Sequence, residues 1–311
     1  MTVEQHVNMS VAHSFAQYVQ VSGDEGYLRE RAWGILEGVA AWIVSRLMST
    51  ERGYELKQTL GFAEGREAPV DNDAYVNMAA AVVLREAAEF ADRLGRLEGS
   101  RWRAVADHLV IPLEDGLILN HDRFSPRESG LAGATPEALG GLFPFGYEVA
   151  PEVEEKTIRF YLSRVEPYLG SPMFCAPLGV FAARIGDRAL AARLFEQGYA
   201  EYVNQPWLDA NEFSVVRHPE KPVVGPMFAN LGGFLTGCLF GLTGMKPGLQ
   251  EPAEWFRRPI VMPEGWDGVV VDRVWVRGRP ARLVAMHGDQ RGRIEFDTAG
   301  PLPNQPRPSA G

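Results

Sequence analysis

The chain has 311 residues, with 31 Lys and Arg against 40 Asp and Glu, for a net charge of −9. At roughly 150 residues per domain this length predicts about two domains, and the acidic balance excludes a protein that neutralises nucleic-acid phosphates with a basic face. A composition of 46% hydrophobic and 23% charged residues is that of a globular chain, excluding a disordered one.

Taken in chain order, the first helical periodicity covers residues 6–21. From 27 to 47, Leu28, Ala32, Ile35, Leu36, Val39, Ala40, Ile43 and Leu47 recur at three- and four-residue steps. That spacing predicts a long amphipathic helix, widened by Trp33 and Trp42. The same steps recur over 74–94, 153–165, 174–185, 190–202 and 228–242. Gly23-Asp24 and Gly186-Asp187 each place a left-handed stop ahead of an N-cap, and Gly95 supplies the stop alone. Such tight turns predict helical hairpins in a stack or ring, and Gly232-Gly233 reads as helix packing. Beyond Pro252 the character changes. Short strands are expected at 269–271, 274–276, 282–284 and 293–296, with turns at Gly278 and Gly288-Asp289. The predicted organisation is a mainly α catalytic domain over 1–250, a small all-β C-terminal domain over 251–296 and a disordered tail over 297–311.

Cys175 and Cys238 lie in apolar runs and are expected as reduced core thiols. No run approaches the roughly 20 apolar residues of a membrane span. The first six residues lack the basic and apolar regions of a signal peptide, so a cytoplasmic chain with no membrane contact is expected.

Three long non-helical stretches, 49–73, 111–135 and 204–227, are where chemistry is sought, because loops this long are usually functional. The first carries Lys57, Glu64 and the triplet Asp71-Asn72-Asp73. That triplet reads either as capping for the next helix or as substrate binding, and Glu64 either as a solvated charge or as a catalytic acid. The third carries Trp207 beside Asp209 and Glu212: an aromatic face for the apolar side of a sugar, with carboxylates for its hydroxyls. Trp207 reads equally as an anchor of its loop. Two carboxylates on separate loops are what glycoside cleavage requires, one to protonate the leaving oxygen and one to activate water or attack. The six histidines are scattered and no His-Glu-x-x-His, Cys-x-x-Cys or Walker loop occurs, so neither a metal nor a cofactor is expected.

Four segments resemble the C-terminal part of glycoside hydrolase family 65. They are Gln5-His6-Val7-Asn8 through Gly23-Asp24, Gly61-Phe62-Ala63-Glu64 followed by Val70-Asp71-Asn72-Asp73-Ala74-Tyr75, Gly232-Gly233-Phe234-Leu235, and Met262-Pro263-Glu264-Gly265-Trp266. The likeness is nearest to the family's glucosylgalactosyl-hydroxylysine glucosidases and acid trehalases. It implies an (α/α)6 barrel, here partial, followed by a small β-piece. It implies an inverting α-glycosidase acting on an α-glucosyl disaccharide or conjugate, with Glu64 as general acid and Glu212 as base. Lys57, Asp71, Asn72 and Trp207 are the expected substrate contacts, and a small carbohydrate is the expected partner.

Two departures matter. The family's Lys-Gln-Ala-Asp segment is replaced by Thr135-Pro136-Glu137-Ala138-Leu139, and the Ser-rich phosphate stretch of its phosphorylases becomes Gly170-Ser171-Pro172-Met173-Phe174-Cys175. One serine without an added cation favours hydrolysis over phosphorolysis. The other readings kept open are a disaccharide phosphorylase, a sugar isomerase using His6, His13 or His218, and a non-catalytic carbohydrate-binding remnant. Full family members carry more chain ahead of this segment, so a C-terminal fragment, completed by a missing N-terminal half or by a homo-oligomer, is expected.

Overall fold

The computed structural model describes residues 4–62, 68–172 and 174–297. Helices are its main regular structure: α1 (His6–Ser22), α2 (Glu25–Tyr27), α3 (Trp33–Arg46), α4 (Ala74–Arg93), α5 (Gly99–Asp107), α6 (Gly130–Ala134), α7 (Glu137–Leu142), α8 (Pro151–Leu162), α9 (Leu178–Arg184), α10 (Arg188–Gly198) and α11 (Phe228–Thr236). Two short antiparallel hairpins interrupt them, β1 (Leu47–Thr50) with β2 (Gly53–Leu56) and β3 (Leu113–Glu114) with β4 (Leu117–Ile118). The chain closes on an antiparallel sheet of β5 (Gly268–Val276), β6 (Arg279–Met286) and β7 (Arg293–Phe296).

The hub is α4, packed by α1, α3, α5 and α7. Ala79, Ala80, Ala81, Ala87, Ala88 and Ala91 are all fully buried, and their small side chains let neighbouring helices approach from several sides at once. The helix starts where Asp73 Oδ1 accepts the Val76 amide at 3.1 Å, leaving no doubt which residue of the triplet is the cap. A second core gathers α7 to α10 around Tyr161, Phe181 and Tyr202. A third, smaller core joins the sheet to the helices through Trp255, Phe256, Val276 and Leu283.

The turns follow the sequence closely. Gly23 is left-handed with its amide on Val19 O at 2.8 Å, and Asp24 and Asp187 each accept an amide three residues on at 2.9 Å. The differences lie at helix ends and in the loops. The stretch 27–47 contains a π turn, Leu28–Ala32, and Leu47 already belongs to β1. The stretch 190–202 breaks after Gly198 into the 3-10 turn Ala200–Tyr202. Residues 49–73 open with the β1–β2 hairpin, 111–135 contain β3, β4 and α6, and the buried α7 was not anticipated. The strands expected at 269–271 and 274–276 form one strand with a bulge between Val271 and Val274.

Both thiols are free, and burial pushes each up to about 11. Of the tail over 297–311, all but Asp297 lies outside the described residues. Among the described residues no helix is long and apolar enough to cross a membrane.

Candidate functional site

The first loop is built on a neck. Thr59 and Val70 exchange backbone hydrogen bonds at 2.8 and 2.9 Å, and both are buried. Glu64, the residue expected as the acid, lies between them in sequence and outside the described residues. Phe62 is held by Tyr75 at 5.1 Å edge-on and by Phe174 at 4.8 Å face-on. Beside it, Gly61 is required: a Cβ there would meet Glu137 Oε1 at 2.5 Å and the Asp73 carboxylate at 3.0 Å. Asp73 and Glu137, both fully buried, therefore approach the same point of this loop.

Below the neck lies a polar network. Asn72 is buried with a left-handed φ of 51°. Its Nδ2 donates to Glu55 Oε2 at 2.9 Å and to Asp122 Oδ2 at 2.7 Å, while its Oδ1 accepts from the Leu56 amide at 3.1 Å and from Asn77 Nδ2 at 3.2 Å. Every hydrogen-bonding group of that amide is engaged, so nothing remains for a substrate hydroxyl. Those bonds fix Glu55 and Asp122 in place. Arg52 grips Asp122 with two bonds of 2.8 and 3.0 Å.

The charges follow these contacts. The Lys57 ammonium, together with Asn72 and Thr50, holds Glu55 down at about 2. Lys57 is itself raised, by the bond to Glu55 first and by Asp71 next. Burial alone would raise Asp122, but the bonds from Arg52 and Asn72 keep it below the ordinary carboxylate range. Lys57 and Asp71, 3.5 Å apart, are both partly exposed at the edge of this network. Glu55, Asp122 and Arg52 were not singled out in the sequence. The one local signal was Glu55, a carboxylate between Tyr54 and Leu56.

The third loop is pinned by its backbone. The Asn204 amide donates to Asp209 O and the Leu208 amide to Asn204 O, each at 2.8 Å, making a tight turn with Trp207 at its tip, 83% exposed. Trp207 is therefore no anchor of its loop. Glu212 receives its position from two sides: its amide donates to Val224 O at 3.0 Å, and Asn230 Nδ2 donates to the neighbouring Asn211 O at 2.7 Å. The Glu212 side chain is half-buried and has no ion-pair partner among the described residues. Two residues on, the Ser214 amide donates to Gly170 O at 3.0 Å. Gly170 is left-handed, and a Cβ there would meet the His218 ring at 2.9 Å.

The two loops meet one stretch of chain from two sides: Phe62 stacks on Phe174, and the Ser214 amide bonds Gly170 O, four residues earlier in the sequence. Beyond Ser214 on the third loop, Arg217 is consumed by Glu201 at 3.0 Å and Glu166 at 2.8 Å. Lys57, Asp71 and Asn72 are brought together; Trp207 and Glu212 lie on the third loop. His6, His13 and His218 do not converge: His6 faces Leu60 O, His13 pairs with Glu86 at 2.9 Å, and His218 faces Glu220 at 3.3 Å. Among the described residues no group of three or more His, Cys, Asp or Glu could hold a metal ion.

Residues 1–131 match the description "Glycosyl hydrolase family 65 central catalytic domain". The chain is 25% identical over 276 residues to a kojibiose hydrolase of Flavobacterium johnsoniae, covering 88% of this chain and 38% of that protein. It is 25% identical over 248 residues to a protein-glucosylgalactosylhydroxylysine glucosidase of Danio rerio, covering 78% of this chain and 36% of that protein. A solved structure described as a kojibiose phosphorylase from the human microbiome shares the fold. Its TM-score is 0.62 at 11% identity, over 93% of this chain and 46% of that one. The chain therefore spans well under half the length of the proteins it matches.

Proposed function

We propose, from the kinship of this chain with glycosyl hydrolase family 65, that it carries the catalytic loops of an inverting α-glycosidase acting on α-glucosyl disaccharides or conjugates. Glu64 is the general acid and Glu212 the base that activates water, with carboxyl groups about 6.5–9.5 Å apart to admit that water. Lys57 and Asp71 contact the sugar hydroxyls, Trp207 offers its face to the ring, and Asn72 holds the network behind them. The observation that supports this reading is that Phe62, on the loop carrying Glu64, stacks on Phe174, while Ser214, on the loop carrying Glu212, bonds Gly170 O four residues earlier in the sequence. The helices are read as part of an (α/α)6 barrel extending over 1–250. Apolar side chains left in water at helical spacing, Val7 and Val11 on α1 and Phe228 and Leu235 on α11, support a larger ring in which further helices cover them.

Hydrolysis is favoured over phosphorolysis by one contact. A phosphate dianion needs a free cation, and Arg217, whose side-chain stem lies against Gly170, already has its guanidinium paired with two carboxylates. The test is kinetic. Glu64→Gln should abolish cleavage of an alkyl glucoside, whose leaving group needs a proton, and spare an aryl glucoside with a good leaving group. Glu212→Gln should slow both by about 10²–10⁴. Turnover of the alkyl glucoside near the unsubstituted rate in Glu64→Gln would overturn the assignment.

A further inference from the structure

Where α8 and α9 meet the segment ahead of the C-terminal sheet, the protein holds a charge that it does not balance. Glu154 on α8 is gripped from two sides. Arg184, the last residue of α9, donates Nη1 to its Oε1 at 3.1 Å, and Arg258 donates Nη1 to its Oε2 at 2.9 Å. Two guanidiniums thus share one carboxylate, and the cluster keeps a surplus positive charge. Arg217 is the reverse case, one guanidinium between two carboxylates. The surplus is poorly screened, because the Arg184 and Glu154 side chains are only 11% and 13% exposed. The Arg184 guanidinium lies over Phe143 at 5.2 Å and over Phe181 at 5.6 Å, and its Nε–H is buried with no acceptor among the described residues. Burial first, and then the charge of Arg258, hold Arg184 down at about 10 in spite of Glu154. A buried donor without a partner and a cation under strain from its neighbour both ask for an anion.

The two arginines line one cleft of about 210 Å³. Among the described residues they are its polar side chains; the other side chains in its lining are apolar, including Val180, Leu242, Pro259 and Val261. The carbonyls at the end of α9 do not oppose an anion there. The Ile185, Gly186 and Asp187 amides occupy Phe181 O, Ala183 O and Ala182 O at 3.2, 3.0 and 3.0 Å. The cleft does not borrow from the apolar side chains read above as covered by further helices, since none of those lines it. Charge and walls together choose the ligand. One surplus charge suits a monoanion, and apolar walls suit an organic body. A phosphate dianion overcompensates the charge and leaves the walls unmatched, and a neutral sugar leaves the guanidiniums unanswered.

We propose that this cleft binds a small organic monocarboxylate, with its carboxylate on Arg184 and Arg258 and its apolar body against Leu242 and Val261. The site stands apart from the glycosidase reading, because none of the residues assigned to sugar cleavage lines it.

The test is calorimetric titration of the full chain with benzoate at fixed ionic strength. The expected result is saturable binding at one site, about tenfold weaker in Arg258→Gln. That variant leaves Glu154 paired with Arg184, and Arg258 is 41% exposed, so the core stays closed. Arg257→Gln, next in sequence but paired with Glu148, should bind benzoate as the unsubstituted chain does. Benzyl alcohol keeps the ring and drops the charge, and inorganic phosphate keeps charge and drops the ring. Each should bind at least about tenfold more weakly than benzoate. Nuclear Overhauser contacts from the benzoate ring to the Leu242 and Val261 methyl groups place the probe in the unsubstituted chain, so the site stays testable if Arg258→Gln folds poorly. Absence of binding, undiminished binding in a folded Arg258→Gln, or contacts to other methyl groups alone overturns the proposal. Benzyl alcohol binding as tightly as benzoate overturns it by removing the arginines from recognition. Phosphate binding as tightly overturns the choice of an organic anion.

Discussion

The two candidate loops are built on opposite principles. Asn72 spends every donor and acceptor of its side-chain amide, Glu55 is buried, and the ion pairs Arg52–Asp122 and Lys57–Glu55 close the network. Trp207 and Glu212 are open, and what holds their loop acts on its main chain: Asn204 with Asp209, Glu212 with Val224, and the Asn230 side chain on Asn211 O. A saturated network is rigid and high in stakes, since removing one member strands the others without water to replace it. A loop pinned through its main chain tolerates changes of side chain. The first loop rests on a frame, and the second leaves its side chains free.

This contrast makes ordered predictions. The largest stability effect belongs to Asn72→Ala, which strands four partners and puts a Cβ-bearing residue without a local hydrogen bond at a left-handed φ of 51°. It should cost about 3–5 kcal/mol, read by urea unfolding. A loss below about 1 kcal/mol would show that the network is not the frame described.

Next comes the pH dependence carried by Glu55. Its folded value of about 2 lies below its ordinary 4.5, so its contribution is fully present above 4.5 and is lost as pH falls towards 2. Glu55→Gln should therefore destabilise by about 2 kcal/mol at neutral pH, and the gap from the unsubstituted chain should narrow between pH 4.5 and 2. A gap independent of pH would detach Glu55 from the ion pair with Lys57.

The smallest stability effect is Trp207→Ala. At 83% exposure it should shift unfolding by less than about 0.5 kcal/mol while raising KM for a glucoside. A large destabilisation with unchanged KM would make Trp207 structural after all.

The same contrast explains what was legible in the sequence. Periodicity sufficed for α1 and α4, whose apolar stripes recur within the helix itself, and Gly23-Asp24 announced its turn by residue type. Trp207 and Glu212 were visible because an aromatic and a carboxylate in a long loop are locally unusual. The frame was hidden. Glu55 and Asp122 become partners only through Asn72, 17 and 50 residues away, and no local pattern encodes that meeting. The β1–β2 hairpin escaped for a related reason: Met48, Ser49 and Thr50 show no alternation, and the pairing of Leu47 with Leu56 is what sets its register. Asn72 itself was readable as a cap or a ligand, and a left-handed asparagine between two carboxylates is neither.

The central claim is that two carboxylates on two tethered loops cleave an α-glucoside by direct displacement with water. The measurement that meets it most directly is the anomer first released from kojibiose, followed by ¹H NMR before mutarotation. Water arriving opposite the leaving group predicts β-glucose as the first product. α-Glucose appearing first, or no glucose at all, would contradict it.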